Sequence, residues 1–401
     1  MNQILRKSLF AALGLFLAGG VLYAQTESGL DVLESQNFSP LRGKKVGLLC
    51  NHTALDRRGR PAAELFNRAP GVELKALFSP EHGFSGRLQH GQPIPDDYYA
   101  GVPVYSLYGK TKRPTAEMLR DLDALVFDIQ DVGARFYTYI ATLGYALEEA
   151  ARHGLEFYVL DRPNPLGGDV AEGEPLAEDI RHFTAYYSIP TRHGLTVGEI
   201  AQWHNAHARL GAKLTVVRMK GWKRKNLWKD TGRRFVPPSP NIRSPKAALL
   251  YCGIGAFEAT NVSVARGTKT PFELFGAPWM DGPRLADRLN ALALPGIKFK
   301  AARFTPRSDL YAGLSCGGVR LLVMDESAVR PVDVFIHAVC LLRELHAAEF
   351  QPRWPEMPYV VGSRDFETLY KTGEPADQIL QRLHAGAAEF LKTRLPYLLY
   401  E

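Results

Sequence analysis

Acidic, basic and amide side chains gather directly after several apolar runs of this sequence. They form four short stretches: Asn51-His52-Thr53, Ser79-Pro80-Glu81-His82-Gly83-Phe84, Asp128-Ile129-Gln130-Asp131-Val132-Gly133 and Asp161-Arg162-Pro163-Asn164-Pro165. Carboxyl groups can transfer protons to and from a substrate, and arginine can hold an anionic group through two parallel hydrogen bonds. These residue types therefore indicate acid–base chemistry on a polar substrate, provided that the fold brings the stretches together.

Glu81 is the first candidate for a proton donor. It lies between Pro80 and the segment His82-Gly83-Phe84, where partly apolar neighbours would favour a protonated carboxyl group suited to donating its proton. A glutamate at this place can equally cap a following helix. The spacing alone leaves both interpretations open.

Asp128 and Asp131 straddle the end of the most apolar run and precede Arg135. A salt bridge or turn cap with Arg135 would explain them as well as direct chemistry does. Paired carboxyl groups beside aromatic rings otherwise suggest glycoside hydrolysis, in which one carboxyl protonates the leaving oxygen and a second group serves the cationic centre. The aromatic candidates for stacking on a sugar ring are Phe84, Tyr137, Tyr139, Trp203, Trp222 and Trp228.

Other kinds of site find little support in the motifs. Gly253-Ile254-Gly255 lacks the third glycine of a dinucleotide-binding loop, and the phosphate-loop, Gly-x-Ser-x-Gly and His-Glu-x-x-His patterns do not occur. His204 and His207 share a helix face without a matching acid, which is more typical of a surface than of a metal site. We therefore expect neither a cofactor nor a metal.

Alternating apolar runs and amphipathic stretches predict the elements that position these residues. We expect strands over 45–50, 73–78, 102–107, 124–129, 156–160 and 214–219, and helices over 62–68, 116–121, 137–153 and 196–208, the last with Thr196 and Glu199 as a capping box. Apolar strands joined by helical crossovers indicate an α/β fold with a doubly wound, mainly parallel sheet. Ligands bind beyond the carboxyl ends of such strands, which is where the four polar stretches lie.

A proline-rich passage near 236–245 marks the edge of this first domain. Beyond it we expect a helix over 283–292, strands over 297–305 and 317–324, and a helix over 332–348. This pattern predicts a second, smaller α+β domain. We place the two domains at 25–247 and 248–401, after a signal peptide at 1–24.

The signal peptide is indicated by Arg6 and Lys7, an apolar run over 9–22 and Ala24. The run is shorter than the roughly 20 residues of a membrane-spanning helix. We therefore expect a secreted, periplasmic protein with no stable membrane anchor after cleavage; an uncleaved anchor is the alternative.

The positive charge of the chain bears on its partners. Its 401 residues carry a formal charge of +7, and basic residues between Arg218 and Arg234 surround Trp222 and Trp228. Such interleaving would indicate nucleic-acid binding in a cytosolic protein. In an exported protein we expect no nucleic acid, and the charge instead faces anionic wall material or simply solvent.

Many ordered segments together resemble the exo-β-N-acetylmuramidase (NamZ) family. Besides the stretches already quoted, they include Phe127 to Tyr139, Pro237-Pro238-Ser239-Pro240-Asn241, Glu258-Ala259-Thr260-Asn261, Arg266-Gly267-Thr268 and the run from Phe272 to Trp279. The resemblance implies a Rossmann-like catalytic domain and a smaller domain that closes a cleft. It also implies a secreted glycosidase that releases terminal N-acetylmuramic acid from the non-reducing end of peptidoglycan fragments.

The family's proposed catalytic glutamate corresponds to Glu81. Ala259, Val264 and Ala265 depart from the family pattern, which has glycine at the first position and a glutamate–glycine pair at the other two. If that loop shapes the sugar pocket, substrate preference could differ.

Our working hypothesis is that Glu81 is the general acid. Asp128, Asp131 or Glu258 would orient the sugar or water, and Arg135, Arg192 or Arg266 would bind the lactyl carboxylate. The further predicted substrate-binding residues are Asn51, His82, Tyr137, Tyr139, Asp161, Arg162, Asn164, His193, Asn241 and Asn261. Peptidoglycan-derived saccharides are the expected partners.

Two other functions compete with this hypothesis. A non-catalytic peptidoglycan-binding protein would use the same cleft. Hydrolysis of a wall amide or ester would need an activated nucleophile or a metal triad, and neither spacing is visible. The sequence leaves open whether anomeric configuration is retained or inverted, and what the oligomeric state is.

Overall fold

The computed structural model describes residues 25–89 and 91–401 and arranges them around two β-sheets. The larger sheet has seven strands in the order β3-β4-β2-β1-β5-β6-β7. The strands are β1 (Lys45–Cys50), β2 (Glu73–Ser79), β3 (Asp97–Tyr99), β4 (Val102–Ser106), β5 (Ala124–Asp128), β6 (Glu156–Leu160) and β7 (Lys213–Val217). All neighbours pair in parallel except β3 and β4, which are antiparallel.

Helices cover both faces of this sheet. They are α1 (Gly29–Ser35), α2 (Ala62–Asn67), α3 (Ala116–Leu119), α4 (Thr138–Arg152) and α5 (Val197–His207). Leu48 packs in the core with α1 and α2, whereas its neighbour Leu49 packs in the core with α4 and α5. Successive residues of a strand point to opposite faces, so a continuous apolar run such as β1 serves two cores at once.

The second sheet has three antiparallel strands in the order β8-β10-β9. These are β8 (Leu274–Ala277), β9 (Ile297–Phe304) and β10 (Cys316–Val323), and they lie among helices α6 (Pro245–Ile254), α7 (Gly282–Ala291), α8 (Pro331–Leu345), α9 (Met357–Val361), α10 (Asp365–Lys371) and α11 (Ala376–Thr393). The predicted fold class, a doubly wound and mainly parallel sheet with a smaller α+β domain, is confirmed.

The sequence prediction missed several of these elements. Helices α1, α6, α9, α10 and α11 and the short strands β3 and β8 were not expected. The proposed division at 247–248 falls inside α6. The predicted signal peptide, 1–24, lies outside the described residues.

Buried hydrogen bonds join the two domains. The Arg135 guanidinium donates to the carbonyl oxygen of Val360 at 3.0 Å, and Arg394 donates to the carbonyl oxygens of Gly168 and Gly194 at 2.7 and 2.9 Å. One apolar core runs from α4 and α5 into α6, α7 and α8 without a break. The domains therefore share packing and polar contacts.

The helices and the cysteines bear on membrane insertion and on disulfide bonding. No helix within 25–89 and 91–401 is long and apolar enough to cross a membrane. All four cysteines, Cys50, Cys252, Cys316 and Cys340, are buried free thiols.

Candidate active site

A cavity of about 410 Å³ lies between the two domains and contains Glu81. Its first-domain wall consists of Glu81, His82, Phe136, Tyr137, Thr138, His182, Thr184, Ser239, Asn241 and Ile242. Its second-domain wall consists of Tyr251, Gly255, Glu258, Ala259, Arg266, Phe272, Glu356, Tyr359 and Val360. Neither domain alone would enclose this space.

Glu81 reaches the cavity because β2 ends two residues before it. Its side chain is 4% exposed, and Oε2 accepts a hydrogen bond of 2.6 Å from Oγ1 of Thr138, the first residue of α4. Oε1 accepts a 3.3 Å bond from the backbone nitrogen of Gly91. Burial, together with the charge of Glu81, raises the pKa of the Tyr108 phenol above its ordinary value.

The backbone turns sharply directly after Glu81. His82 has a φ of 69° and Gly83 a φ of 75°, and His82 is a non-glycine residue in the left-handed region, which is uncommon. The His82 ring is held through Nδ1 at 2.8 Å from the carbonyl oxygen of Leu88. This constrained turn fixes the backbone directly after Glu81, in the loop that follows β2.

Aromatic rings supply the apolar part of the cavity. Tyr137 lies edge-on to Tyr251 with ring centroids 6.0 Å apart, and Tyr251 lies 4.8 Å from Phe272. Tyr139 stands behind Tyr137 at 4.7 Å and does not line the cavity. Its hydroxyl donates to the carbonyl oxygen of Pro238 at 2.6 Å and so fixes the loop that carries Ser239 and Asn241.

Arg266 is the one arginine on the wall of this cavity among the described residues. Its Nε donates to Oε1 of Glu258, and its guanidinium carbon lies 5.2 Å from the centroid of the Phe272 ring. Glu356, another carboxylate of the wall, pairs with Arg353 at 2.9 Å. An anionic substituent therefore meets Arg266 on a wall where two of the three carboxylates, Glu258 and Glu356, are ion-paired.

Asp128 and Arg162 do not line the cavity. They form a buried ion pair in which Arg162 Nη2 donates to Asp128 Oδ2 at 2.9 Å. Burial raises the pKa of Asp128, against the opposing effect of Arg162. Asp161 is also fully buried and accepts hydrogen bonds from Thr196, Gly198 and Tyr400. These residues join the strand ends to neighbouring elements.

Asp131, Asn51, Asn164 and His193 are likewise outside the cavity wall. Asp131 Oδ2 accepts a 2.7 Å bond from the backbone of Gly133 and lies 3.5 Å from His193 Nε2. Asn51 accepts from the backbone of Thr53, and Asn164 accepts from Leu166 and donates to Leu195. The bonds to Thr53, Gly133 and Leu166 are local, whereas the contacts of Asn164 with Leu195 and of Asp131 with His193 join separate loops. The structure therefore places the four side chains as supports of the strand-end loops.

Arg135, Arg192 and Asn261 do not line the cavity, and their side chains bind protein groups. Arg135 donates to the carbonyl oxygens of Glu174, Ile189 and Val360, and burial lowers its pKa to about 9. Arg192 pairs with Glu172 at 2.6 Å. Asn261 donates to Glu349 and accepts from Gln351 in the second domain. Of the three arginines predicted for the lactyl carboxylate, Arg266 alone reaches the cavity.

Most of the predicted stacking aromatics pack inside the protein. Trp203 stacks on His207 at 4.1 Å, and Phe84 contacts Tyr99 at 5.2 Å. Trp222 and Trp228 are buried against Tyr400 and Phe235. Neither tryptophan of the basic segment lines the Glu81 cavity, and Tyr137 is the predicted aromatic that does.

Several lining residues were not predicted from the sequence. They are Phe136, Thr138, His182, Thr184, Ser239, Ile242, Tyr251, Gly255, Ala259, Phe272, Glu356, Tyr359 and Val360. Thr138 and Ser239 belong to segments that resemble the family. Their closeness in the sequence to the predicted residues Tyr139 and Asn241 could have identified them as lining residues. His182 and Tyr359 come from parts of the chain without a motif. In the described part of the chain, no group of three or more His, Cys, Asp or Glu side chains is arranged to hold a metal ion.

Comparisons with known proteins agree with this architecture. Family models described as the N-terminal and C-terminal parts of exo-β-N-acetylmuramidase NamZ match residues 46–246 and 249–400. The peptidoglycan β-N-acetylmuramidase NamZ of Bacillus subtilis strain 168 is 39% identical over 414 residues, which cover 99% of this chain and 100% of the relative.

Two crystal structures of DUF1343 family proteins from Bacteroides fragilis share the fold. One superposes with a TM-score of 0.88 at 35% identity, and the other with a TM-score of 0.76 at 29% identity. Each comparison covers 94% of this chain and 99% of the solved chain. The likeness therefore extends over both domains.

Proposed function

The chain belongs to the exo-β-N-acetylmuramidase NamZ family, and we propose that it releases terminal N-acetylmuramic acid from the non-reducing ends of peptidoglycan fragments. It is a glycosidase, and peptidoglycan-derived saccharides are its substrates. The observation that carries the proposed site is the Glu81 carboxyl group, held by Thr138 on the wall of a cavity that both domains enclose. An exo-acting enzyme needs such a pocket, because a terminal sugar enters it end-on.

Glu81 acts as the general acid in this proposal. Its carboxyl proton passes to the glycosidic oxygen as the bond from that oxygen to C1 of the muramic acid breaks. The hydrogen bonds from Thr138 and Gly91 hold both carboxyl oxygens in place, and a fixed proton donor reacts faster than a mobile one. Tyr137, Tyr251 and Phe272 offer the apolar faces against which the sugar ring packs.

The second catalytic group comes from the substrate in this proposal. Glu258 and Glu356 are each paired with an arginine, which makes them poor nucleophiles. The acetamido oxygen of the sugar would attack C1 while the glycosidic oxygen leaves with the proton of Glu81, and water would then open the ring so formed as Glu81 takes its proton. This route predicts that the first-formed muramic acid keeps the β configuration, which proton NMR of the anomeric signal measures. A first-formed α anomer would exclude it.

The proposal includes export. Arg6, Lys7, the apolar run over 9–22 and Ala24 support a cleaved signal peptide and a periplasmic location. N-terminal sequencing of protein recovered from a periplasmic fraction tests this point independently of the activity. A mature chain beginning at Gln25 is expected.

The decisive test of the activity uses a disaccharide capped by β-linked N-acetylmuramic acid. The wild-type chain should release the free sugar, and Glu81→Gln should lower kcat by about 10²–10⁴-fold because the amide cannot donate the carboxyl proton. Glu117→Gln is the matched control, since Glu117 is exposed on α3 and should leave the rate unchanged. Circular dichroism would show that both variants are folded.

Three results would contradict the proposal. Near-normal release by Glu81→Gln would remove Glu81 from the reaction. Binding of the saccharide by the wild-type chain without any release would favour a non-catalytic peptidoglycan-binding protein. Release of an internal disaccharide from longer glycan strands would show endo-acting cleavage.

A further inference from the structure

A second cavity, of about 300 Å³, lies at the carboxyl ends of β1, β5 and β6 and shares no lining residue with the Glu81 cavity. Its wall consists of Gln25, Thr53, Leu55, Asp56, Arg57, Arg58, Gly59, Gln130, Arg162, Trp228, Arg233, Arg234 and Val236. Five of these residues are arginines and one is an acid. We call this space the arginine cavity.

The arginine cavity occupies the place where open parallel sheets bind ligands. Within the sheet, β2 and β4 lie on one side of β1, and β5, β6 and β7 lie on its other side. Between β1 and β5 the strand order reverses, and crevices at such a reversal are the usual ligand sites of this fold. Thr53, Gln130 and Arg162 come from the loops that directly follow β1, β5 and β6.

Two buried guanidinium groups meet in the wall. Arg162 donates to the carbonyl oxygen of Leu55 at 3.3 Å, and Arg233 donates to the same oxygen at 3.1 Å. Arg162 forms an ion pair with Asp128, and Arg233 forms one with Asp31. These contacts hold two rigid, permanently charged donors at fixed positions, at the cost of burying four charged groups.

The rest of the wall has more positive charge than its acids neutralise. Asp56 is paired with Arg60, and Arg57 is paired with Glu27. Arg58 and Arg234 are exposed, and neither has a carboxylate of the described residues within 4.0 Å. Their charges therefore remain available to a ligand.

An unused hydrogen-bond donor lies in the same wall. Trp228 is 7% exposed, and its indole nitrogen has no acceptor among the described residues. Buried donors normally have partners, and the Trp228 ring lines both this cavity and a neighbouring one beside Lys229 and Lys246. A ligand rich in acceptor oxygens would suit the positive charge of the arginine cavity.

We propose that the arginine cavity binds a phosphate group carried on a small polyol or sugar. A phosphate offers several acceptor oxygens to arginine forks that approach from different sides, which a single carboxylate does not. The volume is at the lower end of ligand pockets and fits one sugar or polyol unit. The phosphate could come from a free sugar phosphate or from a phosphodiester-linked wall polymer, and the site would be separate from catalysis.

Calorimetric titration of the full chain tests the proposal, with glucose 6-phosphate and poly(glycerol phosphate) as probes and glucose as the uncharged control. Arg58→Ala combined with Arg234→Ala should weaken phosphate binding by about tenfold or more. Lys220→Ala combined with Lys225→Ala removes the same charge from exposed positions outside the cavity and should change binding by less than about twofold. Both double variants replace exposed side chains and should unfold at the wild-type temperature.

The two probes separate the two sources. Saturable binding of glucose 6-phosphate indicates a small-molecule site, and binding of the polymer alone indicates a wall-anchoring site. The proposal is overturned if neither probe binds saturably at low salt, or if the lysine and arginine pairs weaken binding equally, because the polymer would then be attracted by net charge alone. Release of muramic acid should be unaffected in both double variants, so a failure here leaves the glycosidase assignment standing.

Discussion

Residue types alone could not separate cavity residues from structural ones. Glu81 was identifiable because it follows a buried strand by two residues and lies in a distinctive motif. Arg135 and Arg192 lie in equally polar stretches, yet carbonyl oxygens and Glu172 occupy their guanidinium groups inside the protein. The partner of a long side chain depends on which distant loops pack beside it, and a sequence does not show that.

Arg266 should determine how tightly the muramic acid carboxylate is held. Arg266→Ala should raise KM for the free-acid substrate by about tenfold or more, because a charge-assisted bond to the lactyl group is lost. A substrate whose lactyl carboxylate is amidated should show little change between wild type and variant. Arg284→Ala is the control, since Arg284 is exposed on α7.

The alternative outcome for Arg266 is also informative. Because Arg266 pairs with Glu258, its loss leaves that carboxylate without its cation, and the cavity could change shape. A fall in kcat that is equal for the free-acid and amidated substrates would indicate such a structural effect. It would contradict a role in recognising the carboxylate.

At the scale of elements, apolar runs located the strands well. Strands β1 and β6 begin and end where the sequence predicted, and the Thr196–Glu199 capping box is present at the start of α5. Helix α6 was missed because its end is rich in glycine, although Ser244 as N-cap and Pro245 after it are standard start signals. Gly253 is there for packing: a Cβ at this position would lie 1.8 Å from the carbonyl oxygen of Pro331 at the start of α8.

Asp161 joins three elements, and its ionisation links their docking to pH. It follows β6, accepts hydrogen bonds from Thr196 and Gly198 at the start of α5, and accepts one from Tyr400 near the C-terminus. Burial raises its pKa from 3.8 to about 6, against the lowering effect of the Tyr400 bond. The folded protein therefore keeps a proton between these pH values that the unfolded chain has released.

That difference predicts the sign of the pH effect. The contribution of Asp161 to stability is fully present below pH 3.8 and falls as the pH rises through about 6. Asp161→Asn cannot ionise, so it does not lose this contribution as the pH rises. Relative to the wild type, its free energy of unfolding should therefore be higher at pH 7.5 than at pH 4.5 by about 2 kcal/mol. Urea unfolding at the two pH values measures this, with Asp121→Asn at an exposed position as the control. An unchanged difference between wild type and Asp161→Asn would show that Asp161 stays ionised in the folded state.

At the scale of the whole molecule, two domains do not imply two independent folding units. Domains joined by small polar interfaces commonly move and unfold separately. Here one apolar core includes Leu143 of α4, Ile254 of α6 and Phe335 of α8, and Arg135 and Arg394 make buried hydrogen bonds across the interface. Separating the domains would expose that core, remove the Val360 acceptor of Arg135 and leave the buried Arg394 guanidinium without the carbonyl oxygens of Gly168 and Gly194.

We therefore expect a single cooperative unfolding transition for the whole chain. Tryptophans in the first domain (Trp203, Trp222 and Trp228) and in the second (Trp279 and Trp354) report on the two parts separately. Each of two variants keeps one set of tryptophans and has phenylalanine in place of the other set. For each variant, the urea midpoint from fluorescence should equal the midpoint from far-ultraviolet circular dichroism. Arg135→Ala should lower that midpoint for both sets together, since loss of its bond to Val360 loosens the interface from both sides. Two separate midpoints in the variants that retain Arg135 would show that the cavity is formed between independently stable domains, and that its closure is a motion instead of a consequence of folding.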